Sequence, residues 1–133
     1  MTALRRFLLL LFLAPLVAIS LQARVWPEIK DASLLVTFAK EKSQTREQYQ
    51  SKNRKLDFAF LPEGEWPKAI SEMNPRAILI ERGYLLVALE FDLESLQAVA
   101  VISDDSQFQK DKQSWIIEDT SDPRIKYVFS KNK

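Results

Sequence analysis

Asp104-Asp105 and Glu118-Asp119 are the acidic pairs best placed to do chemistry in this chain. Two carboxylates held a few ångströms apart can share general acid and general base work, as in glycoside hydrolysis. Each pair sits where an apolar run ends, at the tips of QAVAVI and WIIE. If those runs are neighbouring antiparallel strands, the pairs fall at opposite edges of a sheet and make no common site. Asp104-Asp105-Ser106 could offer oxygen ligands to calcium, but it lacks the spaced acidic series and the glycine of a calcium loop. Glu90, Asp92 and Glu94 alternate beyond another apolar run, where carboxylates keep a strand end soluble and discourage edge pairing.

The missing residue types exclude more than the present ones suggest. The chain has no histidine and no cysteine. That removes the commonest general base, the Ser-His-Asp and Cys-His arrangements, the usual zinc ligands and any disulfide. Two glycines, Gly64 and Gly83, cannot build a glycine-rich phosphate loop. No catalytic residue, cofactor or metal is therefore assigned. An enzyme built on these residues would be a carboxylate-dependent hydrolase, the least favoured of three readings.

The elements that must position these groups begin after a distinct leader. MTALRRFLLLLFLAPLVAISLQA, residues 1–23, places Arg5 and Arg6 before an apolar run broken only by Pro15. This pattern matches a secretory signal peptide, with cleavage after Ser20 or Ala23. The alternative is an uncleaved membrane anchor; the 17 residues from Phe7 to Ala23 would rise about 26 Å as a helix, short of a hydrocarbon core of about 30 Å. In both cases the rest of the chain lies outside the cytoplasm, periplasmic or secreted. Residues 24–133 then form a single small domain, and without disulfides its stability must come from its core.

The chain carries 19 basic and 18 acidic residues, so its global charge gives no reason to expect nucleic acid as a partner. The signs are segregated: Arg24–Leu56 is net +4, Asp57–Asp122 net −9, and Pro123–Lys133 net +4. The basic run (Lys40, Lys42, Arg46, Lys52, Arg54, Lys55) is diluted by Glu41 and Glu47 and reads as a solvated face.

Trp26-Pro27-Glu28 has the composition of a helix start, with proline at the first position and acid in the first turn. An apolar stripe through Ile29, Ala32, Leu35, Val36 and Ala39 predicts a helix over 27–42. Leu56–Leu61 reads as a short strand or extended anchor, and Trp66–Met73 as a helix of about two turns closed by Asn74-Pro75. From Arg76 the period is that of strands: 77–80 and 84–91 flank an Arg82-Gly83 turn, and 97–102, 115–118 and 125–129 follow. Residues 103–114 read as a polar loop. The order implies an α+β fold with an antiparallel meander of four to five strands.

The hairpin NPRAILIERGYLLVALEF is apolar on both faces, where a half-wetted sheet would alternate. Something must cover both. Either the two strands are sandwiched within the protein, or one face docks a partner or a second copy. The interaction residues singled out are Tyr84, Leu86, Trp115 and Tyr127. The resulting expectation is an exported, non-catalytic binding or accessory module; the alternative is a membrane-tethered accessory subunit of an envelope complex.

Overall fold

In a computed structural model, residues 26–51, 58–92 and 95–130 are described; the leader over 1–23 and its cleavage points lie outside them. The elements are helix α1 (Ala32–Gln44), the short helix α2 (Lys68–Ser71), strands β1 (Ala77–Ile80), β2 (Tyr84–Phe91) and β3 (Leu96–Ile102), helix α3 (Asp105–Asp111), and strands β4 (Trp115–Asp119) and β5 (Ile125–Ser130). Single 3-10 turns cover Arg46–Tyr49, Glu63–Glu65 and Lys112–Ser114.

All five strands pair antiparallel, in the order β1-β2-β3-β5-β4. The α+β assignment holds, but the meander ends at β3. The chain leaves β3, crosses through α3, runs out as the edge strand β4, and returns as β5 between the two. Residues 103–114 are consequently not a loop. Asp104 caps α3 by accepting from the Ser106 backbone N–H at 3.0 Å. Phe108, the one large apolar residue there, is buried.

Helix α1 starts five residues later than proline placement suggests. Pro27 is spent elsewhere, its carbonyl accepting from the Tyr127 hydroxyl at 3.2 Å. The chain runs non-helically through Lys30 and turns into α1 at Asp31, in the left-handed region at φ 55°. Helix α2 is one turn; Asn74, at φ 56°, ends the segment before Pro75.

Both faces of the hairpin are covered from within. On one, Leu35 and Ala39 of α1 and Ile70 of α2 pack on Ile78, Ile80, Leu85, Val87, Val99, Val101 and Ile125. The other gathers Leu79, Leu86, Val128 and the alanines 88, 98 and 100 with Tyr84 and Phe108. At roughly 1.5–3 kcal/mol per large apolar side chain buried, both layers are needed.

The second face is concave. Tyr84 and Trp115 lie six residue rows and three strand spacings apart in the register, about 25 Å in a flat sheet. Their ring centroids are 6.2 Å apart. Phe60 and Phe91, on a shorter diagonal of four rows and two strand spacings on the β1 side, are 6.3 Å apart. Only a strongly coiled sheet brings such diagonals together, and the alanines on its inner face leave room for the curl. A register shift between Ala88 and Glu90 adds a bend in β2.

The two edges differ. The segment Ala59–Leu61 closes β1, with Ile80 N–H donating to the Ala59 carbonyl at 2.8 Å and Leu61 N–H to Ile78 at 3.0 Å. This is the extended anchor read from 56–61, of which Leu56 and Asp57 lie outside the described residues. Ala59 and Leu61 turn inward while Phe58 and Phe60 stay exposed.

The β1–β2 turn is fixed by Gly83 at φ 90°; its carbonyl accepts from the Ser103 and Asp104 backbone N–H groups, both at 2.8 Å. A Cβ there would stand 2.5 Å from the Asp104 carbonyl oxygen. Gly83→Ala is expected to lower stability by roughly 1–3 kcal/mol in urea titrations followed by near-UV circular dichroism. An unchanged midpoint would contradict this.

Candidate interaction surface

Tyr84 and Leu86 offer no surface: they are 1% and 3% exposed. The Tyr84 ring stands edge-on to Phe108 at 5.3 Å and to Trp115 at 6.2 Å. Its hydroxyl donates to Asp111 Oδ2 at 2.6 Å. Burial, and then that bond to a carboxylate, push its pKa far above the ordinary tyrosine range. Trp115 is half-buried in the same aromatic cluster, 6.0 Å from Phe108.

Tyr127 lies on the other face. Trp26 stacks on it with centroids 4.3 Å apart and planes within 5°. The Trp26 indole N–H donates to Glu118 Oε1 at 3.1 Å. Burial, with a smaller push from Glu118, raises the Tyr127 pKa. The structure therefore splits the four residues between two internal clusters on opposite faces rather than gathering them on one patch.

The exposed aromatic surface is elsewhere. Phe58, Phe60 and Phe91 are 41%, 41% and 39% exposed. Their rings form a row with centroid spacings of 5.9 and 6.3 Å. They line the β1 side of the concave face. Sequence reasoning passed over this row although a signal was present: Phe58 and Phe60 flank Ala59, and in an extended segment that puts both rings on one side.

The carboxylates are occupied. Because β5 inserts between them, β3 and β4 run parallel, so Asp104-Asp105 and Glu118-Asp119 lie at the same end of the sheet, not at opposite edges. They remain apart, with β5 between. Asp104 caps α3, which lowers its pKa. Asp105 accepts from Gln109 at 2.8 Å, and Asp119 binds Lys126 at 2.7 Å. Asp92 accepts from the Ser95 backbone N–H at 2.9 Å; Glu94 lies outside the described residues. Among the described residues, no three His, Cys, Asp or Glu side chains are grouped to hold a metal ion.

The basic run has structural uses. Arg46 is 6% exposed and donates from Nε to the Ile80 carbonyl at 2.8 Å, tying the end of the helical region to β1. Lys42 donates to Tyr49 at 3.1 Å and Glu65 at 3.3 Å, and the Tyr49 hydroxyl donates to Glu65 at 2.6 Å. The bond to Tyr49 is the main cause of the raised Lys42 pKa and the lowered Glu65 pKa. Lys52, Arg54 and Lys55 lie outside the described residues. No helix among the described residues is long and apolar enough to cross a membrane.

The chain matches no protein-family model, no curated protein and no solved structure at a significant level.

Two outcomes check these assignments. Leu86→Asp puts an unpaired charge in the concave core and should unfold the domain, a loss of several kcal/mol, whereas Phe60→Asp should leave it folded. A folded Leu86→Asp protein by circular dichroism would contradict the burial.

The second concerns Asp122, which Arg124 binds through its side chain at 2.8 and 3.0 Å and through its backbone N–H at 2.9 Å. These bonds lower its pKa from 3.8 to about 2. A depressed carboxylate pKa stabilises the fold above the unfolded-state value and stops doing so as pH falls through the folded-state value. The stability difference between the protein and Asp122→Asn should therefore be present above about pH 4 and vanish towards pH 2. A difference independent of pH would contradict it.

Proposed function

We propose that this protein is a small, exported, non-catalytic binding module. It acts through apolar and aromatic side chains presented by its sheet. The observation that carries the reading is the exposed row Phe58, Phe60 and Phe91. Water-facing aromatic clusters of this kind supply large contact area at low entropic cost and are enriched at interfaces. The surface thus shifts from Tyr84 and Leu86, whose side chains are consumed by the core, to the β1 side of the same sheet. A non-catalytic role is supported by the chain's lack of histidine and cysteine and by the internal hydrogen bonds that engage the paired acids.

A second reading keeps residues 1–23 attached, making the protein a membrane-tethered subunit of an envelope complex. One observation favours it. Trp26 is already fixed to β5 by its stack on Tyr127, so only Arg24 and Val25 separate the apolar segment from the folded body. Such a tether would hold the domain against the bilayer, and intact mass of the native protein decides between the two.

The test of binding is crosslinking in native cells followed by mass spectrometry, comparing the protein with the double variant Phe60→Ser, Phe91→Ser. Both rings are about 40% exposed, so the variant should fold. Loss of a defined crosslinked protein partner, by about tenfold or more for truncated interface anchors, is the expected result. An unchanged crosslinking pattern would overturn the surface, and turnover of any substrate that tracks one carboxylate would overturn the non-catalytic reading.

A further inference from the structure

We infer that β4 is a self-association edge, through which two copies of this chain pair antiparallel about Ile116. This goes beyond the binding reading above, since it uses the opposite side of the sheet and does not depend on the phenylalanine row. The first observation is the asymmetry of the edges. Ala59–Leu61 closes β1, but among the described residues Ile116 to Asp119 make no backbone hydrogen bond other than those to β5. One side of that backbone is left facing outward, a template for another strand.

The second observation is the lack of the usual protections. Edge strands are normally blunted by proline, by charged side chains (lysine above all) or by a bulge. Trp115-Ile-Ile117, the half that would pair, has none of these; the charged Glu118 and Asp119 lie beyond it, and the register with β5 is continuous. Ile116 stands 41% exposed in the middle of its apolar half. The strand is also held firmly from behind: Lys126 binds Asp119, and the single Thr120 hydroxyl proton is shared between the Ile125 carbonyl at 2.7 Å and the Asp122 carbonyl at 2.9 Å. Little ordering remains to oppose an added strand.

The sequence of the strand selects the occupant and the register. Antiparallel pairing centred on Ile116 sets Trp115 opposite Ile117 of the second copy, Ile116 opposite Ile116, and Ile117 opposite Trp115. Every apolar residue then meets an apolar one, the favourable cross-strand pairing. The ladder stops there, because Lys112–Ser114 form a 3-10 turn, and the Glu118 and Asp119 side chains of the two copies lie at opposite ends and do not face one another. Parallel in-register pairing would oppose Glu118 to Glu118 and Asp119 to Asp119, which like-charge repulsion disfavours. A ladder of residues 115–117 from each copy gives a contact well below the roughly 1,200 Å² of stable complexes, so the association is weak and concentration-dependent.

The absence of cysteine makes the test clean. In the full-length protein, Ile116→Cys should form a disulfide-linked dimer under mild oxidation, because directly opposed residues bring their Cα atoms within about 4.5–5.5 Å. Glu118→Cys places the two sulfurs four residues apart along the strands, about 13 Å, and should crosslink at least about tenfold less, being outside disulfide reach. A concentration-dependent slowing of amide exchange within 115–117 should accompany it in the unsubstituted protein. Equal crosslinking of the two variants, or exchange at 115–117 that ignores concentration, would overturn the inference.

Discussion

A sheet that is apolar on both sides has to be covered twice, and this constraint organises the molecule. Helices α1 and α2 cover one face with Leu35, Ala39 and Ile70. The other face is covered by curling. The alanines at 88, 98 and 100 leave space for the strands to coil, which carries Tyr84 towards Trp115 and lets Phe108 fill the bend. The crossover through α3 supplies Phe108 and also displaces β4 to the edge. Covering the second face and leaving an open edge are thus two consequences of one connection.

The polar groups follow from the same arrangement. Arg46 satisfies the Ile80 carbonyl at the end of β1, and Asp111 accepts from the buried Tyr84 hydroxyl. Buried polar atoms need partners, so side chains that look reactive in the sequence are engaged in holding the coiled sheet. The large apolar side chains left exposed among the described residues are the row of three phenylalanines on the β1 side, Ile116 on the β4 side and Leu34 on α1.

Much of this was legible in the sequence. Strand-length apolar runs and the Arg82-Gly83 turn located all five strands to within a residue or two, because glycine at positive φ and short apolar runs bounded by turn residues are local signals. The topology was not legible. Nothing local says that β5 pairs with β3 before β4 does, and the helix hidden in 103–114 has one apolar residue, so its capping aspartate was the only available sign. The start of α1 was misplaced because Pro27 and Trp26 serve the distant Tyr127, a contact 100 residues away for the Pro27 carbonyl. Which apolar side chains stay exposed was not legible for a related reason. A doubly apolar hairpin announces that both sides are covered without saying by what, and Tyr84 and Leu86 went to the core while Phe58 and Phe60, on a segment with a weaker pattern, were left out.

Both apolar faces of the hairpin are satisfied internally. Carbene footprinting of the full-length protein measures this directly, since the reagent labels side chains according to their solvent exposure. Labelling of Leu34, Phe58, Phe60, Phe91 and Ile116, with Leu86, Ala98 and Ala100 unmodified, is the expected result. Heavy labelling of Leu86 and its alanine neighbours in folded protein would contradict it and return the docking surface to the hairpin.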